Sequence, residues 1–276
     1  MEFFFRRAYR GPVKAVILDW AGTAVDYGCR APAQVFMKVF AEHGADITEA
    51  QAREPMGLMK RDHIRMISQM APVAEQWQTV HGRLPNENDV EHMYADFIPL
   101  QLDILADYAD PIPGALALLG QLRQRGIKVG STTGYNHEMM DILAPEAARR
   151  GYTPDAWVCA SDVPAGRPYP WMMYANETRL GVYPPESVIK IGDTIPDIDE
   201  GLNAGAWAVG VTLTGNEIGL TEAQVKALPA GALASRLESV RWRMAAAGAH
   251  AVVDGAWDCG AVIDDIAQRL AQGEKP

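Results

Sequence analysis

Residues 13–23, with the sequence VKAVILDWAGT, constrain the fold more than any other stretch of the chain. A nearly continuous apolar run of this length is typical of a strand that is buried on both faces, as in a parallel sheet covered by helices. The run ends at Asp19, and the turn after it contributes Gly22, which lets backbone approach a ligand closely, and the hydroxyl of Thr23. Ligands of open α/β folds bind at the carboxyl ends of the strands. The sequence therefore predicts an α/β protein with a binding site around Asp19.

The composition limits the kinds of partner that such a protein can have. Its 276 residues are 48% hydrophobic and 22% charged, which is typical of a globular protein with one large domain or with a core and an insertion. The net charge of −10 argues against nucleic-acid binding, and no stretch is apolar enough to span a bilayer. Residues 1–11 have the wrong residue order for a signal peptide, and we interpret them as a loosely docked tail. Cys29, Cys159 and Cys259 lack the spacing of a zinc site or a disulfide framework, so we expect a cytoplasmic protein.

A long helical block follows the first strand. Helices are predicted at residues 32–43, 58–70, 72–80 and 88–108, with a short helix after Thr48 and a break or bend near Pro99. A block of this length without a strand, placed inside an α/β pattern, is typical of an inserted domain. We therefore predict a helical cap domain over residues 28–106, inserted into a core domain that comprises residues 1–27 and 107–276.

The rest of the chain alternates between strand and helix patterns. Strands are predicted at residues 127–130, 156–160, 188–191, 206–211 and 251–253, and helices at 113–125, 138–150, 171–180 and 198–204. After residue 221 the pattern is mostly helical. The alternation predicts a parallel sheet with right-handed crossovers, flanked by helices.

Polar residues that follow different strands are brought together, because parallel strands end on the same rim. Asp19 and Asp193 come from different strands, and Asp197 lies a short way beyond. Two carboxylates with further oxygen ligands are suited to Mg²⁺ that is held together with a phosphoryl group. Thr133 and Arg167 follow other strands and are candidates for binding the phosphoryl oxygens. The metal and the arginine would reduce repulsion between an anionic nucleophile and an anionic substrate.

The ordered motifs on this rim resemble those of the haloacid dehalogenase (HAD) superfamily. They are D-x-x-G-T at Asp19, a strand ending in Thr133-Gly134, a basic residue in Gly166-Arg167-Pro168, and G-D-T-x-x-D over residues 192–197. The resemblance implies a Rossmann-like core and an aspartyl-phosphate formed on Asp19. Phosphatases of the superfamily usually carry a second Asp two residues after the nucleophile, to protonate an oxygen leaving group, but this chain has Ala21 there. Either the site is inactive, or its leaving group is not handled by such an acid.

A motif in the cap favours the second possibility. Lys60 and His63 lie three residues apart and share a helix face, just after the Pro55-Met56-Gly57 turn. Together with DWAGT and residues 130–135 and 166–171, this segment resembles the phosphonoacetaldehyde hydrolases, or phosphonatases, of 2-aminoethylphosphonate degradation. Breaking a carbon–phosphorus bond leaves a carbanion, whose electrons an iminium on a lysine accepts as an enamine.

That resemblance implies a role for each candidate residue. The implied catalytic residues are Asp19, Lys60, His63 and Tyr135, with Lys60 as the Schiff-base residue. The implied Mg²⁺ ligands are Asp19, the carbonyl oxygen of Ala21, and Asp193. The implied substrate contacts are Gly22, Thr23, Cys29, Met56, Gly57, Thr133, Gly134 and Arg167, with Thr194 and Asp197 supporting the site. The resemblance also implies a homodimer whose cap closes over a small phosphonate and excludes water.

Simpler interpretations exist for several of these residues. Asp193 could serve only as a helix N-cap, Lys60 could be a solvated helix residue, His63 could merely pack or cap, Arg167 could pair with an acid, and Cys29 could be a small buried thiol. Other functions are also open, namely another phosphatase or dehalogenase of the superfamily, or an inactive scaffold that binds a partner. A phosphatase would need an acid in place of Ala21, and a dehalogenase would not need the metal site at Asp193.

Overall fold

A six-stranded sheet forms the centre of the molecule. The computed structural model describes residues 8–276, so the first seven residues of the predicted tail lie outside the described part. The strands are β1 (Ala15–Asp19), β2 (Lys128–Thr133), β3 (Ala156–Cys159), β4 (Val188–Gly192), β5 (Trp207–Val211) and β6 (Ala251–Val253). They are all parallel, in the order β3-β2-β1-β4-β5-β6. All five residues of β1 are buried in the middle of the sheet, as its apolar run predicts.

The described part of the chain contains twelve α-helices. They are α1 (Arg30–Glu42), α2 (Glu49–Arg53), α3 (Lys60–Gln69), α4 (Ala71–His81), α5 (Glu87–Leu105), α6 (Ala115–Gln124), α7 (His137–Arg149), α8 (Trp171–Leu180), α9 (Ile195–Asn203), α10 (Glu222–Ala227), α11 (Ala230–Ala246) and α12 (Cys259–Gln272). Within residues 8–276, no helix is at once long enough and apolar enough to cross a membrane.

The segment between β1 and α6 contains no strand, as the sequence predicts, and its α-helices are α1 to α5. The predicted break near Pro99 is wrong as a break, because α5 continues past this residue. Phe36, Ile64 and Phe97 of the cap helices are fully buried and belong to the same apolar cluster as Leu18 of β1. This shared cluster holds the helices against the sheet, while the predicted domain boundaries stay a prediction.

Two elements near the rim differ from their predicted bounds. β2 extends through Thr133 because it pairs with β1 as far as Asp19, which lies opposite Thr132. The buried hydroxyl of Ser131 is satisfied there, since its Oγ donates to the carbonyl oxygen of Leu18 at 2.7 Å. α9 begins earlier than predicted because Thr194 caps it in a capping box.

Candidate active site

Asp19 and Asp193 meet at the carboxyl ends of the neighbouring strands β1 and β4. Thr23 Oγ1 donates to Asp193 Oδ1 at 2.9 Å, and the backbone N–H of Asn216 donates to Asp193 Oδ2 at 2.7 Å. Gly22 has a φ of +89°, and a Cβ there would lie 2.2 Å from Asp193 Oδ2. Gly22 and Thr23, expected to contact substrate, thus shape and hold the Asp193 carboxylate.

The interpretation of Asp193 as a helix N-cap is wrong. The cap of α9 is Thr194, whose Oγ1 accepts from the backbone N–H of Asp197 at 3.3 Å. In return, Asp197 Oδ2 accepts from the Thr194 hydroxyl at 2.5 Å. Asp193 is fully buried, and its carboxylate faces Asp19 and Asp197: one oxygen from each of the three acids lies within 4.8 Å of the others.

Arg167 ties Asp19 to the loop after β3. Its Nη2 donates to Asp19 Oδ1 at 2.5 Å and to Thr132 Oγ1 at 2.8 Å, and its Nε donates to Glu200 Oε2 at 3.0 Å. The interpretation that Arg167 pairs with an acid is therefore confirmed. The same contact places its guanidinium beside Asp19, where it favours the ionised form of the carboxyl.

Lys190 and Glu200, which lie behind the Asp19–Arg167 pair, were missed by the sequence reasoning. Lys190 lies in β4 with no exposed surface, and its Nζ is 2.9 Å from Asp197 Oδ1 and 3.1 Å from Glu200 Oε2. Lys190 Nζ also donates to Thr132 Oγ1 at 2.6 Å. A signal was present, since a lysine inside the apolar run VIKIG is buried only when it is paired.

The charges on the core side of the site fit a divalent cation. Four buried carboxylates face two buried cations there, which leaves two negative charges; the groups are Asp19, Asp193, Asp197, Glu200, Arg167 and Lys190. Burial raises the pKa of Asp19, although Arg167 opposes this rise, and burial and the charges of Asp19 and Asp197 raise the pKa of Asp193 well above its usual range. A hard cation among these oxygens would stabilise both carboxylates in their ionised form.

The cap contributes Lys60 to the opposite wall of the site. Lys60 is the first residue of α3 and is only 7% exposed, so the interpretation of a solvated lysine is wrong. Its Nζ lies 4.9 Å from the ring centroid of Tyr135 and 5.6 Å from that of Phe36. Burial lowers the pKa of Lys60 to about 8, and the N-terminal end of a helix also disfavours the ammonium form. Roughly a tenth of the amine is therefore neutral at pH 7 and able to attack a carbonyl, and this fraction rises with pH.

His63 packs beneath Lys60 on the same helix. Its ring is fully buried and stacks on Phe36, with ring centroids 3.8 Å apart. Nε2 donates to the carbonyl oxygen of Ala52 at 2.8 Å, and within residues 8–276 the buried Nδ1 has no hydrogen-bond partner. Burial and the charge of Lys60 lower the pKa of His63 well below its usual range. The packing interpretation of His63 is thus confirmed, and its neutral Nδ1 is left free to accept a proton.

Eleven of the sixteen predicted site residues line one small cavity between core and cap. Its walls include Asp19, Ala21, Cys29, Met56, Gly57, Lys60, Thr133, Gly134, Tyr135, Arg167 and Thr194. Burial raises the pKa of Cys29 and of Tyr135 well above their usual values, so both side chains are neutral. The cavity measures about 20 Å³, roughly the space that one water molecule needs. A molecule larger than water therefore does not fit while cap and core are arranged in this way.

The turn after α2 closes this cavity. Gly57 has a φ of +97°, and a Cβ there would lie 2.5 Å from Thr194 Oγ1. Arg167 Nη1 donates to the carbonyl oxygen of Gly57 at 3.3 Å, and the backbone N–H of Gly166 donates to Met59 Sδ at 3.1 Å. The cap thus rests directly on the loop that carries Arg167.

Comparison with known proteins gives the class to which this fold and site belong. The family model for haloacid dehalogenase-like hydrolases matches residues 13–205, which extend from just before β1 to just after α9. The chain belongs to this family of hydrolases.

Relatives within that class carry a more specific name. A protein from Nitratidesulfovibrio vulgaris named phosphonoacetaldehyde hydrolase is 52% identical over 277 residues, which cover 100% of this chain and 99% of that protein. A Bacillus cereus protein of the same name is 50% identical over 254 residues, covering 92% of this chain and 96% of its own. The crystal structure of a phosphonoacetaldehyde hydrolase-like protein from Oleispira antarctica superposes with a TM-score of 0.97 at 41% identity, covering 100% of both chains. These similarities include α10 to α12, beyond the part that the family model matches.

Proposed function

We propose that this chain hydrolyses phosphonoacetaldehyde to acetaldehyde and phosphate. The observation that carries the proposal is the position of Lys60, a buried lysine with a lowered pKa, across one cavity from Asp19. The full-length similarity to proteins named phosphonoacetaldehyde hydrolase supports the same conclusion. Ala21 is consistent with it, because a carbon leaving group has no use for the acid that protonates an oxygen leaving group.

In the proposed reaction the cap wall activates the substrate first. The neutral amine of Lys60 adds to the aldehyde carbon, and loss of water gives an imine that is protonated to an iminium. The iminium carbon is bonded directly to the carbon that carries phosphorus. It therefore accepts the electron pair of the carbon–phosphorus bond when that bond breaks.

The core wall then takes the phosphoryl group. The carboxylate of Asp19 attacks phosphorus, the carbon–phosphorus bond breaks, and its electrons form an enamine on Lys60 while an aspartyl-phosphate forms on Asp19. Arg167, Thr133 and the backbone near Gly134 are suited to bind the phosphoryl oxygens, because all three line the cavity next to Asp19. Gly22 and Thr23 support this wall through their contacts with Asp193.

Water completes the cycle on both walls. The enamine takes a proton at carbon, and water then hydrolyses the iminium to acetaldehyde and free Lys60, while another water molecule hydrolyses the aspartyl-phosphate. His63 and Tyr135 are the proposed proton carriers, since the Nδ1 of His63 is unpaired within residues 8–276 and Tyr135 borders the cavity beside Lys60. Cys29 and Met56 shape the cavity around the aldehyde carbon.

The proposed cofactor is Mg²⁺. Asp19, the carbonyl oxygen of Ala21 and Asp193 would hold it, with Thr194 and Asp197 supporting these ligands. The ion would supply positive charge that balances the carboxylates and reduces repulsion between Asp19 and the anionic substrate. The four buried carboxylates and two buried cations, with a net charge of −2 between them, support this assignment.

Reductive trapping tests the proposed function. The protein is incubated with phosphonoacetaldehyde and Mg²⁺, reduced with sodium borohydride, and searched by peptide mass spectrometry for an added ethyl or phosphonoethyl group. We expect the adduct on Lys60. Lys38, an exposed lysine of α1, is the internal control and gains no adduct. Phosphate release from phosphate esters without any adduct would instead indicate an ordinary phosphatase and would refute the imine.

A homodimer in the cytoplasm is also part of the proposal. The three free cysteines are all buried, which is compatible with a reducing compartment. Light scattering on the purified protein tests the dimer, and a mass equal to one chain of 30.1 kDa would refute it.

A further inference from the structure

Arg53 connects α2 of the cap to the segment just before α1 and to the loop after β5. It is the last residue of α2, and its side chain is 11% exposed. Its Nη1 donates to the carbonyl oxygen of Gly28 at 2.8 Å, in the segment that leads from β1 into α1. The same Nη1 donates to Asn216 Oδ1 at 3.1 Å, and Nη2 donates to the carbonyl oxygen of Gly219 at 3.0 Å. Glu49, one turn earlier, accepts from Nε at 3.0 Å and holds the guanidinium in place.

Asn216 makes a second contact with Arg53 and one with the active site. Its Nδ2 donates to the backbone carbonyl oxygen of Arg53 at 3.1 Å, so the two residues are joined by a pair of hydrogen bonds. Its backbone N–H donates to Asp193 Oδ2 at 2.7 Å, and Asn216 is only 3% exposed. A chain of direct contacts therefore runs from the cap through Asn216 to the carboxylate of Asp193.

The loop that carries Asn216 also touches both ends of the turn after β1. Thr214 Oγ1 donates to the carbonyl oxygen of Gly22 at 2.9 Å, and the backbone N–H of Gly28 donates to the carbonyl oxygen of Thr214 at 2.7 Å. A Cβ on Gly215 would lie 2.4 Å from the Cβ of Asp193, which shows how closely this backbone packs on the acid. A shift of the loop would therefore move the N–H group that orients Asp193.

We propose that Arg53 is a positioning residue, which acts through Asn216 to align Asp193 for Mg²⁺ when the cap is docked on the core. The inference rests on the proposed function for the identity of the metal site. Groups that hold a metal-binding carboxylate in place strongly affect metal affinity. The cavity holds no molecule larger than water while the cap is docked, so the substrate requires the cap to move. This contact then makes the metal site complete when the cap is docked and less well ordered when it is open.

Direct Mg²⁺ binding by titration calorimetry, without substrate, tests the proposal. We expect Arg53→Ala to weaken Mg²⁺ binding by about tenfold. Asn216→Ala removes both side-chain contacts with Arg53 but keeps the backbone N–H, and we expect it to weaken binding by a similar factor. The double variant should bind no more weakly than Asn216→Ala, since Asn216→Ala already breaks both hydrogen bonds between the two residues. In turnover assays the Mg²⁺ concentration for half-maximal rate should rise, and saturating Mg²⁺ should restore most of kcat.

Arg65→Ala is the matched control. Arg65 also makes several hydrogen bonds, with Asp62 and Glu87, but these stay within the cap. We expect this variant to bind Mg²⁺ like the unmodified protein. Equal Mg²⁺ affinity for Arg53→Ala and Arg65→Ala would overturn the proposal, as would additive effects of Arg53→Ala and Asn216→Ala. If Arg53→Ala does not fold, Asn216→Ala alone carries the test, and unchanged Mg²⁺ affinity in that variant would overturn the proposal. Because the readout is metal binding, it is independent of whether phosphonoacetaldehyde is the substrate.

Discussion

The two walls of the cavity treat buried charge in opposite ways. On the core wall Asp19 lies 2.5 Å from Arg167, and behind them Lys190 lies within 3.1 Å of Glu200. On the cap wall Lys60 is buried to a similar extent, yet its amine makes no hydrogen bond or ion pair with any residue in 8–276 and faces aromatic rings instead. The core wall therefore stabilises ionised side chains, whereas the cap wall disfavours the charged form of Lys60.

This difference follows from what each side chain must do in the proposed reaction. A buried carboxylate stays ionised only beside positive charge, and an ionised Asp19 is the form that attacks phosphorus. A buried lysine without an acidic partner releases its proton more easily, and a neutral Lys60 is the form that attacks an aldehyde. The closed cap thus creates two opposite electrostatic environments within one cavity.

The largest expected effect is that of Asp19→Asn on the core wall. We expect phosphate release to fall by about 10⁵-fold or more, because removal of a nucleophile leaves only binding and positioning. Imine formation on Lys60 should persist, since the change is confined to the opposite wall, and borohydride trapping measures it.

Asp162→Asn is the control for this change. Asp162 also follows a strand of the sheet, but it contacts Arg179 and the backbone N–H of Cys159, outside the cavity. Its variant should keep phosphate release. Loss of trapping in Asp19→Asn would contradict the independence of the two walls.

Lys60→Met on the cap wall should lower turnover by about 10⁴-fold and abolish the adduct. The same variant should be more stable than the unmodified protein. The pKa of Lys60 falls from 10.5 to about 8 on folding, which corresponds to a penalty of about 3 kcal/mol near neutral pH. Between pH 8 and pH 10.5 the amine of Lys60 is protonated in the unfolded chain but neutral in the folded chain. The free energy of unfolding therefore rises with pH over this range, so the penalty is complete below pH 8 and disappears above pH 10.5.

Denaturant unfolding at several pH values checks this stability difference. The gain in Lys60→Met should be largest near neutral pH and should decline as the pH rises. Lys38→Met removes an exposed lysine from the same cap and should leave the unfolding free energy nearly unchanged. A Lys60→Met protein that is less stable than the unmodified protein would contradict the expectation that burial of the Lys60 amine is destabilising.

Removal of the metal should impair the chemistry of the core wall and leave that of the cap wall intact. With excess EDTA we expect phosphate release to fall by about 10³-fold, because Asp193 and Asp19 then lack the charge that balances them. The borohydride adduct on Lys60 should still form, since no proposed metal ligand lies on the cap. Restoration of phosphate release by added Mg²⁺ is the control, and undiminished release in EDTA would remove the metal from the proposed mechanism.

The carboxylates of the core wall could be predicted from the sequence, but the buried residues that support them could not. Asp19 and Asp193 each follow an apolar strand, so the shared rim of a parallel sheet was enough to bring them together. Lys190 was missed because its partners come from α9 and β2, and only packing in three dimensions brings them together. The bounds of β2 were also missed, since Ser131 and Thr132 have the composition of a turn and are satisfied by cross-strand contacts.

The cap wall depended on resemblance rather than on pattern. A lysine at the start of a helix has no sequence feature that indicates burial, and Lys60 is buried because the Gly57 turn presses the cap onto Thr194. The spacing of Lys60 and His63 predicted a shared helix face correctly. It did not reveal that Phe36 lies against both, because α1 and α3 meet only in the folded cap.

The smallest expected effect is that of His63→Phe, which should lower turnover by about 10²-fold at most. The aromatic replacement keeps a ring against Phe36 but removes Nδ1, the proposed proton acceptor, and the hydrogen bond to Ala52. Because the pKa of His63 lies well below its usual value, the loss should be the same across neutral and alkaline pH. The measurement is the rate of borohydride trapping against pH, since imine formation is one of the steps that need proton transfer.

His81→Phe provides a closely matched control for this last change. The His81 ring stacks on Trp77 with centroids 4.3 Å apart, and its Nε2 donates to the carbonyl oxygen of His43 at 2.9 Å. His81 thus makes the same kinds of contact as His63, but on the surface and away from the cavity. Both variants keep a stacked ring and lose a hydrogen bond to a backbone carbonyl, so a slower trapping rate in His63→Phe alone assigns the effect to the buried position of His63 on the helix that carries Lys60. Equal rates in both variants would leave His63 as a packing residue and would shift the proton transfer to Tyr135.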